Sequence, residues 1–287
     1  MAKPFLKWVG GKRQLMPALL QHLPVDLPEF CAGQGTFFEP FIGGGALFFA
    51  LQEQGVSRAV INDFNPELVN LYQVVQQDAA ALSARLEDPL FANDLNAFLA
   101  VRAWDKQDDW AARTALDRAA RFVYLNRTAF NGLWRVNSKG QFNVPFGRYN
   151  NPGIPSLDTL QQAQQALTGV SILNGDFEVA CSTAKAGDLV YFDPPYAPVS
   201  ATSSFVGYTL KGFDDGMQKR LAGVCEGLTQ RGVGWMLSNS DTPYTQEVFG
   251  SLSGARLEIV QAGRSINRDA GGRGKVNEIL VVGPHVV

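Results

Sequence analysis

The sequence predicts an α/β fold whose sheet domain is interrupted by an inserted, mostly helical module. Short apolar strands alternate with amphipathic helices up to about residue 77 and again from about residue 170, which is typical of βαβ units. Between these two parts, residues 78–120 have a charged helical pattern, and residues 124–155 are rich in Asn, Gly, Arg and aromatic residues. We therefore predict one domain formed by residues 1–66 and 160–287 and a second formed by residues 67–159.

The first predicted strand, GTFFEP, runs into Gly43-Gly44-Gly45 and then into the helical string ALFFALQEQ. Glycines between a strand and a helix let a ligand approach the backbone, and the free N–H groups of the helix start point towards it. A tight turn selected for packing explains the same pattern equally well. If the turn does bind a ligand, Phe41 and Gly43 are the candidate contact residues.

Asp63 ends the second predicted strand, RAVIN, about twenty residues after Gly43, and the helix PELVNLYQVVQQ follows it. An acid at this position of a βαβ unit usually accepts hydrogen bonds from ribose hydroxyls. Its alternative role is to cap the helix that begins near Pro66. Together, the glycine turn and Asp63 predict a cofactor that contains a nucleoside. Their spacing does not distinguish a dinucleotide from S-adenosylmethionine.

The second part of the chain has the predicted strands SILN and LVYF, the helix MQKRLAGVCEGLTQR, and the strands GVGWMLSN, ARLEIV and NEILVVG. The strand LVYF ends in Asp193-Pro194-Pro195-Tyr196, so an acid lies at the edge where open α/β sheets bind ligands. The two prolines fix their own φ angles and lack N–H groups. The sequence therefore predicts a rigid corner whose backbone offers only hydrogen-bond acceptors.

This corner suits a planar exocyclic amine. The Asp193 carboxylate and the Pro194 carbonyl can accept its two N–H groups, and Tyr196 can stack on the ring that carries it. An amine held in this way loses conjugation with its ring and directs a lone pair at a methyl group, which is the geometry of N-methylation. A proline-stiffened turn without a chemical role accounts less well for the carboxylate and the aromatic ring together.

Composition argues against several other classes of protein. No segment approaches the roughly 18 apolar residues that span a bilayer, and the start, MAKPFLKWVGGK, lacks the apolar core of a secretory signal. Cys31, Cys181 and Cys225 are far apart, and only two histidines accompany them, so neither a disulfide framework nor a zinc site is predicted. We expect a cytoplasmic protein with no metal and no membrane partner.

A formal net charge of −2 conceals a local asymmetry. Residues 118–150 contain six basic side chains and no acidic one, whereas residues 87–109 are acidic. A basic segment rich in Asn and aromatic residues favours contact with nucleic acid. The alternative for such a segment is a solvated basic face.

These motifs, in this order, resemble the Dam-type DNA adenine methyltransferases, which methylate the 6-amino group of adenine with S-adenosylmethionine. The resemblance covers nearly the whole chain. The strings involved are FLKWVGGK, FEPFIGGGALF, IND, YLNRTAFNGLWRVNSKGQFNVPFGRY, VYFDPPYAPVSAT, LSNSDT and RSINRDAGGRGKVNEIL. The resemblance implies a Rossmann-like methyltransferase sheet, S-adenosyl-L-methionine as cofactor and double-stranded DNA as substrate. We expect the chain to act on DNA as a monomer.

The resemblance also implies roles for individual cofactor residues. Trp8 and Lys12 match residues of the family's cofactor pocket, and Asp63 matches the acid that binds the ribose. Asp176 and Phe177, in NGDF, lie where related enzymes hold and stack the cofactor adenine.

Asp193 matches the family carboxylate that meets both the target amine and the methionine end of the cofactor. With Pro194 and Tyr196 it forms the predicted catalytic group. A stacked and paired adenine cannot reach this corner, so the base must be extruded from the duplex.

The basic segment resembles the family's specificity module, for which the implied target is GATC. Arg135 matches an arginine that reads a guanine edge, a role that suits a guanidinium because it can donate two hydrogen bonds to guanine in the major groove. Phe130 and Asn131 match residues that enter the helix beside the extruded adenine, although many relatives carry Tyr in place of Phe130. The other implied DNA contacts are Lys7 with the first guanine, Leu133 and Pro145 with a thymine methyl, and Arg127, Lys139 and Arg148 with phosphates.

Two other functions fit some of the same residues. A methyltransferase acting on RNA or on a protein amide would use the same corner, because it recognises planar amines in general. A DNA-binding regulator with a decayed active site would keep the basic segment, although intact Asp63, Asp193 and Tyr196 argue against it. Methyl transfer into duplex DNA but not RNA excludes the first alternative, and any turnover excludes the second.

Overall fold

The computed structural model describes residues 2–8, 10, 12–196, 213–263 and 275–284. Parts of the motifs quoted above, namely Val9, Gly11, residues 197–202 and residues 264–274, lie outside the described residues. The described strands form a seven-stranded sheet. They are β1 (Phe37–Glu39), β2 (Ala59–Asp63), β3 (Ser171–Asn174), β4 (Leu189–Phe192), β5 (Gly234–Ser240), β6 (Arg256–Gly263) and β7 (Lys275–Val282).

Helices connect most of these strands and build the inserted module. Within the described ranges they are α1 (Met16–Gln21), α2 (Leu27–Ala32), α3 (Ala46–Glu53), α4 (Pro66–Leu86), α5 (Leu95–Arg102), α6 (Ala115–Thr128), α7 (Leu157–Ala166), α8 (Phe177–Ala180), α9 (Asp215–Gln230) and α10 (Pro243–Gly250). Each of these helices is too short or too polar to cross a membrane.

The order of strands in the sheet is β3-β2-β1-β4-β5-β7-β6. The first five pair in parallel, and β7 is antiparallel to both β5 and β6. Strand order reverses between β1 and β4, and open α/β sheets bind ligands at the carboxyl ends of the strands beside such a reversal. This arrangement confirms the predicted α/β, Rossmann-like methyltransferase fold.

Alternating strand side chains divide the core into two apolar clusters on opposite faces of the sheet. One cluster joins Phe37 and Tyr191 to aromatic residues of the inserted module, including Phe122 and Trp134. The other joins Phe192 and its neighbours to α9 and α10. The inserted module therefore shares a continuous core with one face of the sheet, and this fixes its position relative to the strand ends.

Helix α4 connects the two predicted domains. The predicted helix ended near residue 77, but α4 continues to Leu86 through a kink at Asp78 (φ −154°, ψ 85°). It packs against α6 in the inserted module, against α7 and against the edge strand β3 of the sheet. The predicted boundary at residues 66 and 67 coincides with the start of this shared helix, and the division into two domains stays a prediction.

The segment after α6, where the sequence shows little periodicity, folds into a tight turn and a short hairpin. The turn at residues 130–132 follows Thr128, and isolated bridges pair Ala129 with Phe146 and Val136 with Phe142. The backbone N–H of Asn143 donates to the carbonyl of Arg135 at 3.0 Å. Apolar and polar residues do not alternate strictly along this hairpin, so the hydrophobic pattern of the sequence did not predict its strands.

Three of the six basic residues in the acid-free segment contact other parts of the fold, and one of them, Arg127, donates to the Phe5 carbonyl. Arg118 forms an ion pair with Glu67 at the start of α4. Arg121 is buried, lies 2.7 Å from the Asp105 carboxylate and donates to the carbonyls of Val101 and Arg102 at 3.0 and 2.9 Å. The positive charge that remains for DNA on this segment is therefore smaller than the sequence suggests.

We expect Arg121→Ala to lower the free energy of unfolding by about 3–5 kcal/mol, because it leaves the Asp105 carboxylate buried without its cation. Lys106, the next residue along the chain from Asp105, is exposed. Its replacement by Ala should cost less than about 0.5 kcal/mol. Urea unfolding of both variants tests the difference, and equal midpoints would contradict it.

Candidate active site

The glycine turn after β1 lies against Trp8. Gly43 and Gly45 have φ angles of +45° and +69°, which strain any residue with a side chain. A Cβ atom at Gly43 would lie 2.5 Å from Nε1 of Trp8. The Trp8 ring also stacks on Phe122, with ring centroids 6.2 Å apart and nearly parallel planes. The Trp8 side chain therefore lies as close to the backbone of this turn as a glycine permits.

Asp63 joins the end of β2 to this turn. Its Oδ2 accepts the Gly43 N–H at 3.2 Å, and its Oδ1 accepts the Asn65 N–H at 2.9 Å. The cap of α4 is Asn65, whose side chain accepts from Glu67 and Leu68, so Asp63 is not needed as a helix cap. Burial raises the pKa of Asp63 to about 6.

Phe64 is a candidate residue that sequence reasoning missed. It follows Asp63 directly, and the residue is 60% exposed. A large aromatic ring exposed beside the glycine turn can cover a flat ligand. The signal available in the sequence was an aromatic residue immediately after the acid that ends β2.

The Asp193 carboxylate at the end of β4 is held from two sides. Its Oδ1 lies 2.8 Å from Nζ of Lys12 and accepts a hydrogen bond from Oγ of Ser238 at 3.1 Å. The Ser238 hydroxyl also lies 2.9 Å from the Tyr191 hydroxyl. Burial raises the pKa of Asp193, and the neighbouring Lys12 ammonium opposes that rise.

Lys12 is itself fixed. Only 5% of it is exposed, its Nζ donates to the Gly10 carbonyl at 2.8 Å, and the ammonium lies 4.6 Å from the centroid of the Tyr196 ring. The ammonium therefore contacts the carboxylate and the aromatic ring of the same corner.

The rest of the corner is tethered by residues whose roles the sequence did not reveal. Nε2 of Gln218 donates to the Pro195 carbonyl at 3.4 Å, and Asn239 donates to Gln218 at 3.0 Å. The Tyr196 hydroxyl donates to the Glu278 carboxylate at 2.6 Å. The predicted catalytic Pro194 is buried between these contacts.

A third acid, Glu39, lies at the end of β1. It is buried and accepts the Phe48 N–H in the first turn of α3 at 3.0 Å. The N-cap of that helix is Gly45, which has no side chain to accept a hydrogen bond, so Glu39 supplies the acceptor. Burial and the nearby Asp193 raise the pKa of Glu39 well above its ordinary value.

Asp176 and Phe177 have structural contacts of their own. The Arg220 guanidinium donates to both Asp176 oxygens at 2.7 and 2.6 Å and lowers the pKa of that carboxyl. The Phe177 ring is buried, with its centroid 5.3 Å from that of Phe41. Their contact with a cofactor adenine stays a prediction.

Lys7 and Arg127 are far apart in sequence, but the structure brings them together. The backbone N–H of Lys7 donates to Asn126 at 2.9 Å, and the Asn126 amide donates back to the Lys7 carbonyl at 2.6 Å. Arg127 donates to the Phe5 carbonyl at 2.5 Å. Burial, followed by the charge of Arg127, lowers the pKa of Lys7. The N-terminal segment is thus fastened to the end of α6.

The turn at residues 130–132 presents Phe130 to solvent, with half of the residue exposed. Asn131 has a φ of +55°, and its N–H donates to the Tyr149 hydroxyl at 2.8 Å. Gly132 has a φ of +63°, and a Cβ there would lie 2.7 Å from Cβ of Lys7. The left-handed backbone at Asn131 and Gly132 places this turn directly against the Lys7 segment.

The hairpin carries the remaining predicted DNA residues. Arg135 is exposed, and its Nε donates to the Asn143 side chain at 2.7 Å, which orients the guanidinium. Leu133 is half-buried, and the Pro145 carbonyl accepts the Phe130 N–H at 2.9 Å. The other two predicted phosphate contacts on this segment, Lys139 and Arg148, are exposed, and the Lys139 N–H donates to the Asn137 side chain at 2.9 Å.

Residues 8–266 match the family of D12 class N6 adenine-specific DNA methyltransferases. The chain belongs to this family. The match spans the glycine turn, the inserted module and the corner at Asp193, and it confirms the resemblance inferred from the motifs. Among the described residues, no group of three or more histidine, cysteine or carboxylate side chains is placed to bind a metal ion.

Similar proteins extend over nearly the whole chain. The Type II methyltransferase M1.LlaDCHI of Lactococcus lactis subsp. cremoris is 42% identical over 97% of this chain and 94% of its own length. The Type II methyltransferase M.MjaIII of Methanocaldococcus jannaschii is 41% identical over 92% and 93%, respectively. The DNA adenine methylase of Escherichia coli strain K12 is 36% identical over 98% and 95%. The chain is therefore an adenine-specific DNA methyltransferase.

In this methyltransferase, we expect Lys12→Met to shift the acidic limb of the pH–rate profile to higher pH. The ionised form of Asp193 is lost as the pH falls through its pKa, and without the ammonium that pKa rises further. Single-turnover methylation of DNA, measured against pH, reports the limb. Lys3→Met, which removes an exposed lysine of the same segment, should leave it in place. An unshifted limb in Lys12→Met would contradict this role of Lys12.

Proposed function

We propose that this methyltransferase transfers a methyl group from S-adenosylmethionine to the 6-amino nitrogen of an adenine extruded from double-stranded DNA, within the sequence GATC. The observation that supports this most directly is the rigid corner at Asp193, which lies beside the glycine turn at the reversal of strand order. A methyl donor and a target amine can meet there with little reorganisation of the protein.

The residues around the glycine turn fit the proposed cofactor. Trp8 lies so close to Gly43 that a Cβ there would clash with its ring, and Asp63 places a carboxylate beside the backbone of the turn. Trp8 and Phe64 would cover the flat parts of the cofactor, and Asp63 would accept the ribose hydroxyls. When bound, S-adenosylmethionine supplies an electrophilic methyl group.

The target amine would be held by the corner itself. The contacts with Lys12 and Ser238 both end on Oδ1 of Asp193, and in this proposal Oδ2 accepts an N–H of the amine. The Pro194 carbonyl accepts the second N–H, and the Tyr196 ring supports the adenine. The same carboxylate is placed to receive the proton that the methylated nitrogen must lose.

The inserted module supplies groups for extrusion and readout. Phe130 is exposed on a turn whose backbone is fixed by Asn126, Tyr149 and the Lys7 segment, so its ring can wedge between base steps without folding back. Arg135 projects from the neighbouring hairpin with a guanidinium oriented by Asn143. This geometry suits bidentate donation to guanine.

Mapping of methylated adenines in plasmid DNA from a host without adenine methylation tests the proposed function. We expect modification only at adenines within GATC, reported by restriction enzymes that differ in sensitivity to methylated GATC and by direct sequencing. Methylation at a different recurrent sequence would contradict GATC, and no DNA methylation at all would contradict the activity.

The same assay applied to Arg135→Ala tests the assignment of one base contact. We expect kcat/KM on GATC to fall about 5-fold to 150-fold, which corresponds to the 1–3 kcal/mol of a bidentate contact with guanine. Discrimination should relax at one guanine only, so that sites altered there are methylated nearly as well as GATC. Arg58→Ala, at an exposed arginine before β2, is the matched control. An equal loss on every sequence would instead make Arg135 a phosphate contact.

A further inference from the structure

We propose that Glu278, on the antiparallel strand β7, is a positioning residue for methyl transfer that acts through the Tyr196 hydroxyl. This inference rests on the proposed function, in which the Tyr196 ring supports the target base. Glu278 lies in the string NEIL, and neither its position near the end of the chain nor its residue type indicates such a role.

The register of the sheet explains why a residue of β7 reaches the corner. Glu278 is opposite Ser240 on β5, and Leu280 is opposite Ser238. Directly opposed residues of antiparallel strands point to the same face, and so do residues two apart along a strand. Glu278 therefore lies on the face of the sheet where Ser238 contacts Asp193.

Tyr196 needs a tether that the prolines do not provide. Pro194 and Pro195 restrict the backbone, and Gln218 fixes the Pro195 carbonyl, but neither effect limits rotation of the Tyr196 side chain. The hydroxyl is the atom farthest from the backbone, so a bond there controls the tilt of the ring most strongly. The Tyr196 hydroxyl donates to Oε2 of Glu278 at 2.6 Å, the short distance expected of a charge-assisted bond.

Two contacts hold different parts of the Tyr196 side chain. Nζ of Lys12 lies 4.6 Å from the centroid of the Tyr196 ring, and the Tyr196 hydroxyl donates to Glu278. Since Lys12 also contacts Asp193, the ring and the acceptor carboxylate are set in one geometry. Loss of the hydrogen bond to Glu278 would leave the Asp193 carboxylate in place but allow the Tyr196 ring to change its tilt.

Single-turnover methylation of duplex DNA separates this role from a merely structural one. We expect Tyr196→Phe and Glu278→Ala each to slow methyl transfer about threefold to tenfold, as expected for one hydrogen bond. The double variant should be no slower than the slower single variant, because both changes remove the same bond. Glu278→Gln, which keeps an acceptor oxygen, should restore most of the rate. Asn277→Ala, on the opposite face of β7, should leave the rate unchanged.

The inference is overturned if Glu278→Ala slows transfer by the same factor in the Tyr196 and Tyr196→Phe backgrounds, or if Asn277→Ala slows it as much. Should Glu278→Ala fail to fold, Glu278→Leu replaces it, because Leu fills a similar volume and offers no acceptor oxygen. A rate loss that is the same in both backgrounds then overturns the inference, and a loss confined to the Tyr196 background supports it. Tyr196→Ala distinguishes the two proposals. If it leaves the rate unchanged, the base-supporting role in the proposed function fails; if it abolishes transfer while Glu278→Ala has no effect, only the role of Glu278 fails.

Discussion

The ion pair between Lys12 and Asp193 is the interaction on which the rest of the site depends. A half-buried carboxylate tends to protonate or to move, and either change would remove the acceptor that the proposed function requires. Lys12 favours the ionised form at 2.8 Å, and Ser238 fixes the same oxygen. The prolines that follow, with Gln218 on the Pro195 carbonyl, keep the backbone from relaxing around this pair. The result is a preorganised acceptor rather than a flexible one.

The same interaction links the methyl-transfer site to the inserted module. Lys12 belongs to an N-terminal segment whose other end is fastened to α6 through Lys7 and Asn126. Trp8, which lies between Lys7 and Lys12 in the sequence, contacts both the glycine turn and Phe122 of α6. Phe5 and Phe122 belong to one apolar core, and Trp8 packs against it. Residues proposed to contact DNA, the cofactor and the target amine therefore lie along one short stretch of chain.

Much of the fold could be predicted because strand and helix patterns are local. The strands around Val60 and Val190 and the acids at their ends, Asp63 and Asp193, could be identified in this way. The antiparallel β7 between β5 and β6 could not, because no local pattern specifies sheet order. Contacts made across that order, such as those of Ser238 and Glu278, were missed for the same reason. Charge counting also overestimated the basic surface, since pairing of Arg121 with Asp105 depends on packing between distant segments.

The most direct test of the account compares methyl transfer and DNA binding in Asp193→Ala. The account predicts a fall of at least about a hundredfold in the single-turnover rate, because general acid–base and acceptor groups contribute on this scale. Affinity for duplex DNA at fixed salt should stay within about twofold, since Asp193 takes no part in phosphate contacts. Asp158→Asn, an exposed acid on α7, is the control and should match the parent in both measurements. Turnover of Asp193→Ala near the parent rate would contradict the central role of this carboxylate, as would a loss of rate explained entirely by lost DNA binding.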